Sequence, residues 1–230
     1  MSLPTSPTAD FFMSASEIAA LLSNAEITPQ YIRHAVHHLT KPERSILYDA
    51  AHPLHRSVSG KYFEAVVYEL LLGCAEHSDA IVSIAAKFSD AEYLPYDKYT
   101  PDGLWYSRDG GIRFRVDGKV AAEMDLLVKT SDGVRVFGEV IINPSGVRGF
   151  RSEISAKKKL LADLYGDPVQ FLMVLAEVPP SGNVRCVEGS DAYAVIPGGL
   201  LSYAQVHPGE VMKRKLSPSV STKRVPGTMW

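Results

Sequence analysis

Only two cysteines occur in the 230 residues, Cys74 and Cys186, far apart and without metal-ligand spacing. That excludes a disulfide framework and a cysteine zinc site, and it points to a reducing cytoplasm. Long apolar runs are missing as well: no stretch approaches the ~20 consecutive apolar residues of a membrane helix. Residues 1–10 are polar and rich in Pro, Ser and Thr, without the basic and apolar regions of a signal peptide. Nor is there an excess of either charge, since 24 Lys and Arg stand against 26 Asp and Glu for a net −2. The balance therefore argues neither for nor against nucleic acid; only the placement of the charges can. No repeat is visible. What is present is the length and composition of an ordinary soluble domain with one sizeable core and an appendage.

Ser14 to Glu17 has capping-box spacing ahead of Ile18, Ala19, Leu21 and Leu22, which predicts a short amphipathic helix. Thr28-Pro29 starts a second, with Ile32, Val36 and Leu39 at helical period, and Thr40 with Glu43 starts a third. Residues 1–58 thus form an N-terminal helical region, read either as a helix-turn-helix or as a cap on the main domain. On the second helix, Gln30, Arg33, His34, His37 and His38 are expected on exposed positions, the histidines as a solvated face rather than metal ligands. Gly60 to Gly73 is a strongly apolar helix with Phe63, Val66, Val67, Leu70 and Leu71 as its buried stripe. Glu64 lies at the stripe's edge, and Glu69 is expected at the surface. Ala80 to Phe88 reads as helix. From Gly103 the period changes to that of strands, in runs punctuated by Arg108-Asp-Gly-Gly111 and Asp117-Gly118, an antiparallel meander.

The meander ends in a hairpin, Lys119 to Asn143, turned by Ser131-Asp132-Gly133. If Thr130 pairs with Val134, Asp125 falls opposite Glu139 on one face. Opposed Cβ atoms lie ~5 Å apart and like charges there repel. Leu126, Leu127, Val128, Val136, Phe137, Val140 and Ile141 make both faces apolar, so the pair is expected in covered sheet. Two carboxylates in such a place share a proton or hold a cation. A helix follows from about Gly149 to Tyr165, burying Phe150, Ile154, Leu161, Leu164 and Tyr165, and Lys157 falls in the middle of that stripe. A lysine there is rarely without a partner; either it snorkels outward or it reaches the carboxylates. Strands are expected at Val169 to Val178 and Ala192 to Ile196, then a short helix near Leu200 and a basic C-terminal tail over 205–230, mobile from Lys213-Arg214-Lys215 to Lys223-Arg224.

A helix with an edge glutamate, Glu123-Met-Asp125, then Glu139-Val-Ile141 fourteen residues later, then a helix and another strand resembles the PD-(D/E)xK nuclease superfamily, the restriction-endonuclease-like fold. The resemblance spans Gly60 to about Val178. It implies an α/β domain over 59–204 with a mixed sheet, an antiparallel hairpin at its core and flanking helices. It also implies that Asp125 and Glu139 bind Mg²⁺, or Mn²⁺ as a substitute, with Glu64 assisting, and that the substrate is DNA. Ile141 departs from the pattern, because the family's water-activating lysine belongs there. The resemblance allows a lysine displaced onto the next helix, and Lys157 is the candidate. Metal-dependent phosphodiester hydrolysis is the expected activity, with a catalytically inactive DNA-binding or regulatory protein of the same fold as the alternative. Arg148, Arg151 and Lys158 are candidates to hold DNA phosphates. Enzymes that cut both strands commonly act as homodimers.

Overall fold

The computed structural model describes residues 13–87, 102–106, 111–143, 150–166, 168–179, 184 and 187–215. Helix α1 (Ala15–Asn24) opens with the expected capping box, the Ser14 hydroxyl accepting from the Glu17 N–H while the Glu17 carboxylate accepts from the Ser14 N–H. Helix α2 (Pro29–His38) begins at its proline, and α3 (Lys41–Leu47) is capped reciprocally by Thr40 and Glu43. Helix α4 (His55–Glu76) runs beyond the predicted Gly60–Gly73 at both ends. None of the helices among the described residues is long and apolar enough to cross a membrane.

Strand β1 (Ile81–Ala86) occupies the segment predicted as helix. Six residues, mostly apolar and buried on both faces, carry no decisive period, and length is then the better guide. Next come β2 (Gly103–Tyr106), β3 (Ile112–Val116), β4 (Lys119–Met124), β5 (Leu126–Thr130) and β6 (Arg135–Ile141). Helix α5 (Phe150–Tyr165), β7 (Val169–Leu175), β8 (Ala192–Val195) and a 3₁₀ turn (Ser202–Gln205) follow among the described residues. The main sheet has the order β1-β5-β6-β7-β8, while β2-β3-β4 forms a second, smaller sheet. Strand β5 is antiparallel to both β1 and β6, while β6, β7 and β8 run parallel. The fold is mixed α/β, with α5 as the crossover that a parallel β6/β7 pair requires.

Side chains alternate across the main sheet. Leu126, Val128, Val136, Leu172 and Val174 pack with α1, α2 and α4 in one apolar cluster. Leu127, Phe137, Phe171, Met173 and Leu175 pack with Ile154 and Leu161 of α5 and with Ile112, Phe114 and Met124 of the small sheet. The sheet is thus covered on both faces, which accounts for its nearly continuous apolar runs.

The expected hairpin is present in its second half only. The Thr130 N–H donates to the Val134 carbonyl at 3.0 Å, Gly133 takes φ 88°, and Leu126 pairs with Gly138 in the anticipated register. Its first arm is not continuous: the chain leaves the small sheet at Met124 and enters the main sheet at Leu126.

The C-terminal segment is held through Arg214, inside the stretch from Lys213 expected to be mobile; Lys223 and Arg224 lie outside the described residues. The Met212 N–H donates to the Arg33 carbonyl at 3.3 Å, and Nδ1 of His34 lies 2.7 Å from the Met212 carbonyl oxygen. Arg214 pairs with Glu69 at 2.7 Å and with Glu76 at 2.6 Å. His34 is therefore buried rather than solvated, and Arg33 pairs with Glu210. Glu69, expected at the surface, is 1% exposed and also meets Nε2 of His38 at 2.7 Å.

Candidate metal centre

Asp125 is the residue at which the chain passes between sheets, and its backbone and side chain both fasten it to β6. Its N–H donates to the Gly138 carbonyl at 3.2 Å, and its Oδ2 accepts from the Val140 N–H at 2.8 Å. This brackets Glu139, which continues the Leu126–Gly138 ladder by one step. Gly138 allows the approach: a Cβ there would lie 2.7 Å from Leu126 Cδ1 and 3.0 Å from the Leu172 carbonyl oxygen.

Glu139 shares the α5 face of the sheet with Phe137, and α5 delivers Lys157 to it. The lysine is 4% exposed, with Nζ 2.6 Å from Glu139 Oε1 and 2.7 Å from Glu153 Oε1 one turn earlier on the helix. Lys157 therefore does not snorkel. Glu64 approaches Asp125 from α4, which covers the other face of the sheet, and Lys87 Nζ stands 3.7 Å from its Oε2. Beside these groups opens a cavity of about 420 Å³, walled by Val120, Ala121 and Ala122 of β4 and otherwise by Glu123, Asp125, Glu139, Glu153 and Lys157. Four carboxylates face one ammonium there, although Glu123 also pairs with Arg113.

The charge is under-compensated. Burial first, and the neighbouring Asp125 second, push the Glu139 carboxyl up to about 8 against the pull of Lys157. Burial and the same aspartate raise Glu64 to about 7, with Lys87 opposing. Burial also raises Asp125, despite its hydrogen bond from Val140 and the charge of Lys157. For Lys157, burial works to strip the proton but Glu139 and Glu153 outweigh it, so the ammonium is held more firmly than usual. Carboxyls that retain protons near neutral pH are ready to exchange them for a cation.

The donor set is all oxygen, which suits a hard cation such as Mg²⁺ or Mn²⁺. Among the described residues no group of three or more His, Cys, Asp and Glu side chains is gathered closely enough to hold a metal. Asp125 and Glu139 are the available pair, with Glu64 at its flank. Mg²⁺ is usually bound through one or two carboxylates plus water and phosphate oxygens, so a pair is a sufficient protein contribution.

The structure thus brings Asp125, Glu139 and Lys157 together, with Glu64 adjacent. The candidate phosphate-binding residues are not gathered around them as free charges: Lys158 is tied to Asp191 at 2.7 Å, Arg151 pairs with Glu188, and Arg148 lies outside the described residues. Sequence reading missed Glu153 and Lys87. The first was legible as the residue four positions before Lys157; the second required recognising β1 as a strand. Comparison with family models, with curated proteins and with solved structures finds no match to this chain.

Proposed function

We propose that the protein is a metal-dependent nuclease that hydrolyses phosphodiester bonds of DNA, using Mg²⁺ or Mn²⁺ held by Asp125 and Glu139 with help from Glu64. The observation that carries this reading is the carboxylate pair itself, Asp125 fastened by the Val140 N–H beside Glu139 of β6, and Glu139 met by Lys157 at 2.6 Å from the following helix. The order of elements around it supports the restriction-endonuclease-like architecture: a helix bearing Glu64, three antiparallel strands β1, β5 and β6, the helix bearing Lys157, and a parallel strand β7.

Within this reading the chain's own residues have separate tasks. The Val140 N–H orients the Asp125 carboxylate toward β6. Glu139, deprotonated, would hold the cation together with Asp125. When bound, the cation supplies Lewis acidity, lowering the pKa of nearby water and offsetting charge that develops on the phosphate. Lys157 remains an ammonium and donates hydrogen bonds; with its proton held this firmly it orients water or stabilises an oxyanion rather than acting as a base.

The proposal is tested by incubating supercoiled and linear DNA with the full chain in Mg²⁺, in Mn²⁺ and in chelator. Cleavage should require the cation and should vanish in Asp125→Ala. Ile141 at the family's lysine position, and the double hold of Glu139 and Glu153 on Lys157, favour a second reading, a DNA-binding protein of this fold without catalysis. That reading expects undiminished DNA binding in chelator and no cleavage under any condition.

A further inference from the structure

Lys87 stands one residue beyond β1, whose Ala86 pairs with Leu126. Continuing that ladder by one step places Lys87 beside Asp125 on one side as Glu139 stands beside it on the other. A single row across three strands therefore reads Lys87, Asp125, Glu139. The two lysines of the centre are held very differently. Lys157 is 4% exposed and pinned by two carboxylates. Lys87 is about a third exposed at its side chain and has a 3.7 Å approach to Glu64, too long for a firm hydrogen bond.

Resting on the nuclease reading above, we propose that Lys87 is a phosphate-binding residue of the same site. In the free chain its ammonium stands 3.7 Å from Glu64, and it would be free to turn to a non-bridging oxygen of the DNA backbone when a divalent cation offsets the carboxylates of the centre. Lys87 suits this role on two counts: its side chain is partly in solvent, and its present contact is long. Among the described residues, the other basic side chains expected to meet phosphate, Lys158 and Arg151, are engaged with Asp191 and Glu188. An ammonium binds phosphate as a point charge without bidentate geometry, so arginine should substitute at least partly.

The test is fluorescence anisotropy of a labelled DNA duplex titrated with the full chain in Ca²⁺, repeated over a range of salt, for the wild type, Lys87→Ala and Lys87→Arg, with melting curves to establish folding. Lys87→Ala should bind on the order of five- to tenfold more weakly, and its log affinity against log salt should be shallower by about one, as for one lost phosphate contact. Lys87→Arg should recover most of both. If Lys87→Ala matches the wild type, or weakens binding with no change of slope, the assignment of Lys87 is overturned while the metal-centre reading stands. If the wild type itself binds no duplex in Ca²⁺ and cleaves none in Mg²⁺, both are overturned.

Discussion

Two buried carboxylate centres lie on the same helix α4, and they are built to opposite ends. Glu69 is the more deeply buried, yet burial alone, which would raise its carboxyl, is overcome by hydrogen bonds and charge from His38 and Arg214 that hold it below its ordinary value. Glu64, five residues away in sequence, faces another carboxylate and a distant lysine, and it rises to about 7. A carboxylate whose partners complete its hydrogen bonds is a structural tie, here between α2, α4 and the C-terminal segment. Carboxylates packed beside one another with too little positive charge are, on the proposed reading, the groups that take up a cation. The difference locates function more firmly than burial does, since by burial alone Glu69 would be the stranger residue.

The largest expected effect comes from breaking the satisfied centre. Arg214→Ala leaves Glu69 buried with His38 alone and removes the tie to Glu76, so it should cost about 3–5 kcal/mol of stability in denaturant unfolding. Lys157→Met, at the other centre, should cost distinctly less, about 1–2 kcal/mol, because Glu139, raised to about 8, is left as a neutral carboxyl rather than an unpaired buried charge. Equal losses would erase the contrast. Next in size is Gly138→Ala, whose Cβ would meet the Leu126 side chain and the Leu172 carbonyl. It should cost about 1–3 kcal/mol in the same assay and, by shifting β6 against Asp125, should weaken cation binding as well.

The smallest expected effect is one of pH, and its sign separates the centres. Glu139 sits at about 8 when folded against an ordinary 4.5, so the folded chain binds the proton more tightly. The stability this contributes is full below 4.5 and is lost as pH rises through about 8. Glu69 is depressed, so its contribution is full above its ordinary 4.5 and is lost as pH falls through its lower folded value. Thermal melting across pH should therefore show Glu139→Gln flattening the decline on the alkaline side, and Glu69→Gln flattening the decline on the acid side. The same mutation acting on both limbs would contradict the assignment.

Much of the candidate site was legible because it depends on short-range pattern. The three-residue turn fixed the register that sets Asp125 beside Glu139, and helical period alone put Lys157 in a buried stripe. What was not legible depends on contacts far apart in sequence. Glu69 points away from the most apolar stripe of α4, but α2 and residues near 214 cover it, and neither is visible from the helix. The exposed position assigned to His34 on α2 failed for the same reason, since its ring is met by the carbonyl of Met212. Lys87 was hidden by reading β1 as a helix, an error that a short run apolar on both faces invites. The transfer of the chain from the small sheet to the main sheet at Asp125 leaves no period change, because both halves are strand.

The claim that Asp125 and Glu139 form a cation site is tested most directly by calorimetric titration of the DNA-free chain with Mn²⁺ at pH 6 and near pH 8.5, in buffers of different ionisation enthalpy so that released protons are counted. Saturable binding should be tighter at the higher pH. Proton release should be larger at the lower, and both Asp125→Asn and Glu139→Gln should abolish the signal. Binding that is absent at both pH values in the wild type, or that survives unchanged in the two variants, would contradict it.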